Sequence, residues 1–197
     1  MRKSKKVRTI IKAKFPRLIR LFNKFHLRED RRILERIIFP YLTSREEFYK
    51  VLFVGCDWYT KVYETYFKKK EYWTIEIDPN KSIYGSKKHI TDSLLNIDLY
   101  FADNYFDLII CNGVFVIGGI DDRKDAEIAF TKCFRCLCSS GVFVLGWNDI
   151  PELRPFPVQE CHSLSKFKPY IFPPLSTSHY LTNTPLKHTY DFYIKPD

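Results

Sequence analysis

The chain has 197 residues, 45% of them hydrophobic and 17% aromatic, with a net charge of +9. That length suits one domain with a sizeable core, and that composition excludes a disordered chain. No apolar run is long enough to cross a bilayer, and charges interrupt the start too often for a signal peptide's apolar region.

Residues 1–36 hold 14 Lys and Arg against Glu29, Asp30 and Glu35, a net of +11, which leaves −2 for the other 161 residues. Within residues 7–25, Val7, Ile11, Phe15, Leu18, Phe22 and Phe25 recur at steps of three or four, one face of a helix. Lys and Arg fill the other faces, and Pro16 should kink the helix or begin a second. Residues 1–40 are read as a basic amphipathic helical extension. Its apolar face suits packing on the domain itself, with the basic side in water. It also suits an anionic membrane surface. Nucleic acid is a further partner for the charge, although no recognition motif accompanies it. An organellar transit peptide is the remaining reading, with little serine in its favour. Glu29–Phe39 reads as a helix ended by Pro40.

The stretch Val51–Thr60 begins with four apolar residues, a strand buried on both faces. Gly55 and a polar turn follow, with Thr60 as N-cap of a helix over Lys61–Phe67. A strand running through a glycine turn into a helix opens a nucleotide-type site in an open α/β sheet. Twenty-one residues after Gly55, Glu76 lies in a second strand, Tyr72–Asp78, at the distance where an acid commonly holds ribose hydroxyls. Asp57 and Thr60 stand where a dinucleotide fingerprint needs glycine, and Asp57 would repel a pyrophosphate. S-adenosylmethionine keeps the adenosine without phosphate, and its cationic groups favour a nearby carboxylate.

Lys68-Lys69-Lys70 reads as a solvated helix end, and Asp78–Gly85 as a turn and irregular loop. Lys88–Thr91 is a third strand, with Asp92 as N-cap of a short helix at Leu94–Leu99. Phe106–Cys111 is a central strand, with Asn112 and Gly113 at its carboxyl end. Val114–Ile117 contain no proton-transferring side chain, so no general base emerges. Asp121–Cys138 reads as a helix closed by Ser139-Ser140-Gly141. Val142–Trp147 is a fifth strand. Seven of the eleven prolines then fall between Pro151 and Pro185. Residues 148–187 read as a lid over an acceptor pocket, or as a rigid filler in place of a helix. His162, His179 and His188 lie in or near this segment. Thr189–Lys195 alternates as a last strand.

The six cysteines form no disulfide framework and suit a reducing cytoplasm. Cys133, Cys136 and Cys138 have helical spacing. Zinc would require a second ligand pair, with only Cys161 or His162 to hand, so no metal is assigned.

VLFVGCDWYT, TIEIDP, ITDS, FDLIICNGV and GVFVLGW resemble, in order and spacing, the motifs of class I S-adenosylmethionine-dependent methyltransferases, of the small type-11 kind. The resemblance spans roughly Lys50–Asn148. It implies a Rossmann-like α/β fold over residues 41–197: a doubly wound, mostly parallel seven-stranded sheet, helices on both faces and an antiparallel last strand. It implies methyl transfer from S-adenosylmethionine. Gly55 and Cys56 would approach the methionine part and Asp57 its ammonium. Glu76 would hold the ribose, Asp92 and Ser93 the adenine, and Asn112 and Gly113 would line the reacting edge. The family's first motif differs here at Phe53, Asp57 and Tyr59, where an acid and two glycines are usual. The acceptor implied is a small molecule or a sugar- or lipid-linked end group. The alternative is a non-catalytic binding module carried to a membrane surface or RNA by the basic arm. The expected location is cytoplasmic, peripheral at a membrane where the arm adsorbs.

Overall fold

The structure is a computed structural model and describes residues 27–197. The amphipathic face expected over residues 7–25 lies outside the described residues. The first described element is a helix in three parts: α1 Leu27–Ile33, a π turn Leu34–Ile38, and α2 Phe39–Ser44. It therefore runs through Pro40, where the sequence suggested an end. In a regular helix the Pro40 ring would meet the carbonyl four residues back. The π turn widens the ladder there, with Phe39 N–H reaching Leu34 O five residues back. Leu34, Ile38, Phe39 and Leu42 are fully buried. Each such side chain contributes about 1.5–3 kcal/mol.

The strands are β1 Lys50–Val54, β2 Glu71–Ile75, β3 Lys88–Ile90, β4 Phe106–Asn112 and β5 Leu137–Asn148, then β6 Lys168–Pro169, β7 His179–Leu181 and β8 His188–Ile194. They form one sheet in the order β3-β2-β1-β4-β5-β8-β6, with β7 also on β8. β3 through β5 are parallel and β8 runs antiparallel to β5, Gly146 opposite Tyr190. The mostly parallel Rossmann-like sheet is thus present. Among the described residues its count is eight and not seven, because β6 and β7 of the Pro-rich segment join the six strands legible in the sequence.

Both faces are apolar. Val51, Phe53, Leu108, Ile110 and Val144 face α1, α2 and a short helix, α3 Tyr63–Tyr66. Leu52, Ile109, Phe143 and Leu145 face α4 Arg123–Cys136. The alternation follows from the two-residue period of a strand. Asp122 caps α4, accepting from the N–H groups of Lys124 and Asp125. The helix is shorter than its periodicity suggested: Leu137 is already extended and Cys138 lies in β5.

Residues 158–167 place Val158, Cys161, Leu164 and Phe167 in the core on the α4 side. The chain then rounds the sheet at β6, and Phe172 stacks on Phe192 on the opposite face at 4.4 Å. The Pro-rich segment is thus a strap around the far edge. Among the described residues no helix is long and apolar enough to cross a membrane.

Candidate active site

The loops after β1, β2, β3, β4 and β5 meet at the carboxyl edge of the sheet. Gly55 follows β1 with φ +88°, a conformation that glycine adopts without a Cβ penalty. Its N–H donates to Ile75 O at 2.9 Å. The Val114 side chain lies against it, 2.7 Å from where a Gly55 Cβ would stand. The next N–H, of Cys56, donates to Glu76 Oε2 at 2.8 Å, and Asp78 N–H donates to Glu76 Oε1 at 2.8 Å. Glu76 stands just past β2, which ends at Ile75 and not at Asp78. The Cys56 thiol is buried. Burial, with the Glu76 charge beside it, pushes its pKa up to about 11, so it stays a neutral thiol.

Asp57 caps the helical turn Trp58–Val62 in a reciprocal box with Thr60. Thr60 is therefore the inner partner of that box and not the N-cap, and the turn starts three residues earlier than its pattern suggested. Asp57 Oδ2 also pairs with Lys81 Nζ at 2.8 Å. Lys81 belongs to the helical turn Pro79–Tyr84, formed where the sequence suggested an irregular loop. Thr60 Oγ1 donates to Tyr84 O at 3.2 Å, a further tie between the two loops.

At the end of β3, the N-cap of the turn Leu94–Leu99 is Ser93, whose Oγ accepts from Leu95 N–H. Asp92 does not cap it. Asp92 Oδ1 accepts from Ser93 N–H at 2.6 Å and Asn96 Nδ2 at 2.9 Å, and Oδ2 from the Tyr100 hydroxyl at 2.8 Å. The Tyr100 bond first, then Asn96 and Ser93, hold the Asp92 carboxyl below its usual pKa.

Gly113, at φ +76°, donates to Gly146 O at 2.8 Å, and a Cβ on it would meet nothing within 4 Å. Asn112 Oδ1 lies over Gly146 and 3.2 Å from His188 Nε2, while His188 Nδ1 is 2.8 Å from Asn148 Oδ1. Burial lowers the His188 pKa to about 4, so the ring is neutral. A neutral imidazole has one N–H, so one of the two amides must present its NH2 to the ring. His162 and His179 stand elsewhere. His162 is exposed, with its main-chain N–H on Glu127. His179 Nδ1 pairs with Asp191 at 2.6 Å, and Asp191 also accepts from Trp147 Nε1.

The site therefore gathers Gly55, Cys56, Asp57, Glu76, Asp92, Ser93, Asn112 and Gly113 along one edge. Sequence reasoning did not assign Lys81, Tyr100 or Asn148 to it. Nor did it assign Ile77, whose apolar side chain is 69% exposed beside Glu76.

Residues 52–145 match the family described as "Methyltransferase domain". That stretch, 94 of the 197 residues, is similar to methyltransferase domains. No curated protein matches the chain by sequence. Solved structures share its fold. The N-methyltransferase NodS from Bradyrhizobium japonicum WM9 aligns at a TM-score of 0.60 and 13% identity, over 83% of this chain and 97% of that one. Magnesium protoporphyrin IX methyltransferase (ChlM) from Synechocystis PCC 6803, solved with bound SAM, gives 0.63 and 10% identity, over 86% and 81%. The 1,6-didemethyltoxoflavin-N1-methyltransferase of Burkholderia thailandensis, solved with 1,6-didemethyltoxoflavin and S-adenosylhomocysteine, gives 0.59 and 11%, over 100% and 92%. At such identities the likeness to the methyltransferase domain is one of fold.

Proposed function

We propose that this protein transfers the methyl group of S-adenosylmethionine to a small acceptor at the carboxyl edge of β1–β5. The Glu76 carboxylate carries the reading. Its two oxygens accept backbone N–H groups from Cys56 and Asp78. A carboxylate has about four lone-pair positions, so two remain for a pair of ribose hydroxyls. Exposed Ile77 offers an apolar surface to a purine beside it, and Asp92 and Ser93 stand at the next strand end to meet the ring's edge. The residues fit an adenosine without phosphates.

When bound, S-adenosylmethionine supplies an electrophilic methyl group on a sulfonium, open to in-line displacement. The chain's own share is positioning. Glu76 fixes the ribose, and the Gly55–Cys56 backbone borders the methionine part. Asp57 reaches its ammonium by sharing a carboxylate that already holds Lys81. Asn112 and Gly113 border the acceptor, with His188 orienting the Asn112 amide as a neutral ring. The turn Ile150–Arg154 lies against this edge through Ile117 N–H to Leu153 O, at 2.9 Å. The acceptor in this reading is a small molecule or the end group of a sugar- or lipid-linked one. Calorimetry of the full chain with S-adenosylmethionine should show saturable binding. Absence of binding would overturn the reading.

The charge of residues 1–36 supports peripheral attachment to an anionic membrane from the cytoplasmic side. Each Lys or Arg near such a surface contributes up to about 1 kcal/mol. The full chain should co-sediment with anionic and not with neutral vesicles. Failure to bind either, or salt-sensitive capture of RNA alone, sinks the idea.

A further inference from the structure

Asn112 ends β4 and stands beside Gly146 of β5 across the ladder. Its Oδ1 lies 1.9 Å from where a Gly146 Cβ would be, and 3.2 Å from His188 Nε2. The Gly146 hydrogen in the Cβ direction therefore points at this atom. An oxygen accepts such a C–H contact, whereas an NH2 group would set hydrogen against hydrogen. The Asn112 amide thus turns its oxygen to Gly146 and His188.

The histidine tautomer follows. The single N–H of the neutral ring lies on Nε2 and donates to Asn112 Oδ1. Nδ1 is bare, so the Asn148 amide, 2.8 Å away, presents its NH2 to it. Asn148 and His188 are cross-strand partners on β5 and β8, and the Tyr190 ring packs edge-on against the imidazole at 4.7 Å. Strand register and packing together fix the order Asn148, His188, Asn112.

One group is left over. Asn112 Nδ2 lies on the far side of the planar amide, toward β1, and has no hydrogen-bond partner among the described residues. Gly55 is close on that side, with Asn112 O 3.7 Å from its Cβ position. An attacking amine has one lone pair, which it needs for the methyl, so it can accept nothing from Nδ2. A carboxylate oxygen accepts the N–H and keeps another lone pair for attack. A hydroxyl would also have to lose a proton. Val114–Ile117 have no side chain to take one, and burial lowers the His188 pKa to about 4 with Nδ1 already engaged. A carboxylate is ionised at neutral pH and has no proton to lose.

We propose that the methyl acceptor is a carboxylate, held by Asn112 Nδ2 donating to the attacking oxygen. The inference rests on the methyl-transfer reading. A lone pair of that oxygen forms the O–CH3 bond as the C–S bond breaks and its electron pair goes to sulfur. Carboxylate and sulfonium become a neutral methyl ester and a neutral thioether, and no proton moves. His188 and Asn148 are positioning residues that decide which end of the Asn112 amide meets the acceptor.

Nitrogen NMR of the histidine rings in the full chain reads the His188 tautomer without a ligand. The Nε2–H form is expected. The Nδ1–H form overturns the proposal, because Asn112 would then turn its oxygen to the acceptor. Transfer from methyl-tritiated S-adenosylmethionine into a deproteinised cell extract reads the product. Mild alkali should release the label as volatile methanol, as from a methyl ester. Alkali-stable label, as in an N-methyl group or an ether, overturns the proposal. So does transfer of no label by a chain that binds S-adenosylmethionine in calorimetry. Asn112→Asp keeps an oxygen for the His188 Nε2–H but sets a negative charge against the acceptor. It should lower transfer about tenfold or more while S-adenosylmethionine affinity holds. Transfer retained in this variant overturns the proposal as well. No binding of S-adenosylmethionine at all sinks the methyl-transfer reading and this proposal with it, whereas an Nδ1–H ring or alkali-stable label sinks this proposal alone.

Discussion

Lys81 Nζ stands 2.8 Å from Asp57 Oδ2 and joins the loop after β1 to the turn after β2. The Asp57 carboxylate also caps the turn that follows it. The two duties separate by mutation. Both side chains are about a third exposed, so the ion pair alone contributes at most about 1 kcal/mol. Lys81→Ala should therefore leave the urea midpoint almost unchanged. Asp57→Ala loses the cap as well and should cost about 1 kcal/mol more. Equal midpoints for the two variants would show that the cap contributes nothing.

Glu76→Ala should weaken S-adenosylmethionine at least tenfold, because charge-assisted bonds to the ribose contribute about 1.5–3 kcal/mol each. It should also lower stability in the absence of ligand, since the Cys56 and Asp78 N–H groups lose their acceptor. Calorimetry together with urea unfolding reads both effects. An unchanged dissociation constant removes Glu76 from the site.

His188 gives the fold a pH dependence. Its pKa is lowered from 6.5 to about 4 by burial. Between those values the unfolded chain binds the proton and the folded chain does not, so unfolding gains as pH falls. Stability is full above about pH 6.5 and is lost progressively down to about pH 4, by about 3 kcal/mol in all. Urea midpoints of wild type and His188→Gln from pH 4 to pH 8 should converge at the acid end. Parallel curves would contradict the burial of a neutral ring.

Gly146 and Gly113 should respond differently to alanine. A Cβ on Gly146 would stand 1.9 Å from Asn112 Oδ1. Gly146→Ala should push the Asn112 amide off His188, at a cost of about 1–3 kcal/mol, and lower kcat more than it raises KM. Gly113→Ala meets open space and carries only backbone strain at φ +76°, about 1–2 kcal/mol. Retained kcat in Gly146→Ala would show that the amide's placement is irrelevant to transfer.

The sheet was legible because β1, β4 and the inner part of β5 are apolar runs buried on both faces, and their order follows from the motifs. The caps were less so. Thr60 and Asp92 both had cap-forming side chains, yet neighbours Asp57 and Ser93 took the role. Choosing between adjacent candidates depends on backbone dihedrals that composition does not encode. Pro40 misled for another reason: burial of Ile38, Phe39 and Leu42 favours continuing the helix, and a π turn makes room. Within the site, the eight residues read from motifs do share one edge, whereas their partners left no local signal. Lys81 lies 24 residues from Asp57, and Asn148 lies 40 from His188. The short β6 and β7 have too few residues for periodicity to show.

The strap also decides how the sheet ends. β6 and β7 share the outer edge of β8, at Tyr193–Ile194 and Thr189–Asp191 respectively. The opposite edge is β3, only three residues long and led by a lysine. Among the described residues, neither side presents a long row of free N–H and C=O groups on which another chain could add a strand. Concentrating the protein should not template fibrils from its folded state.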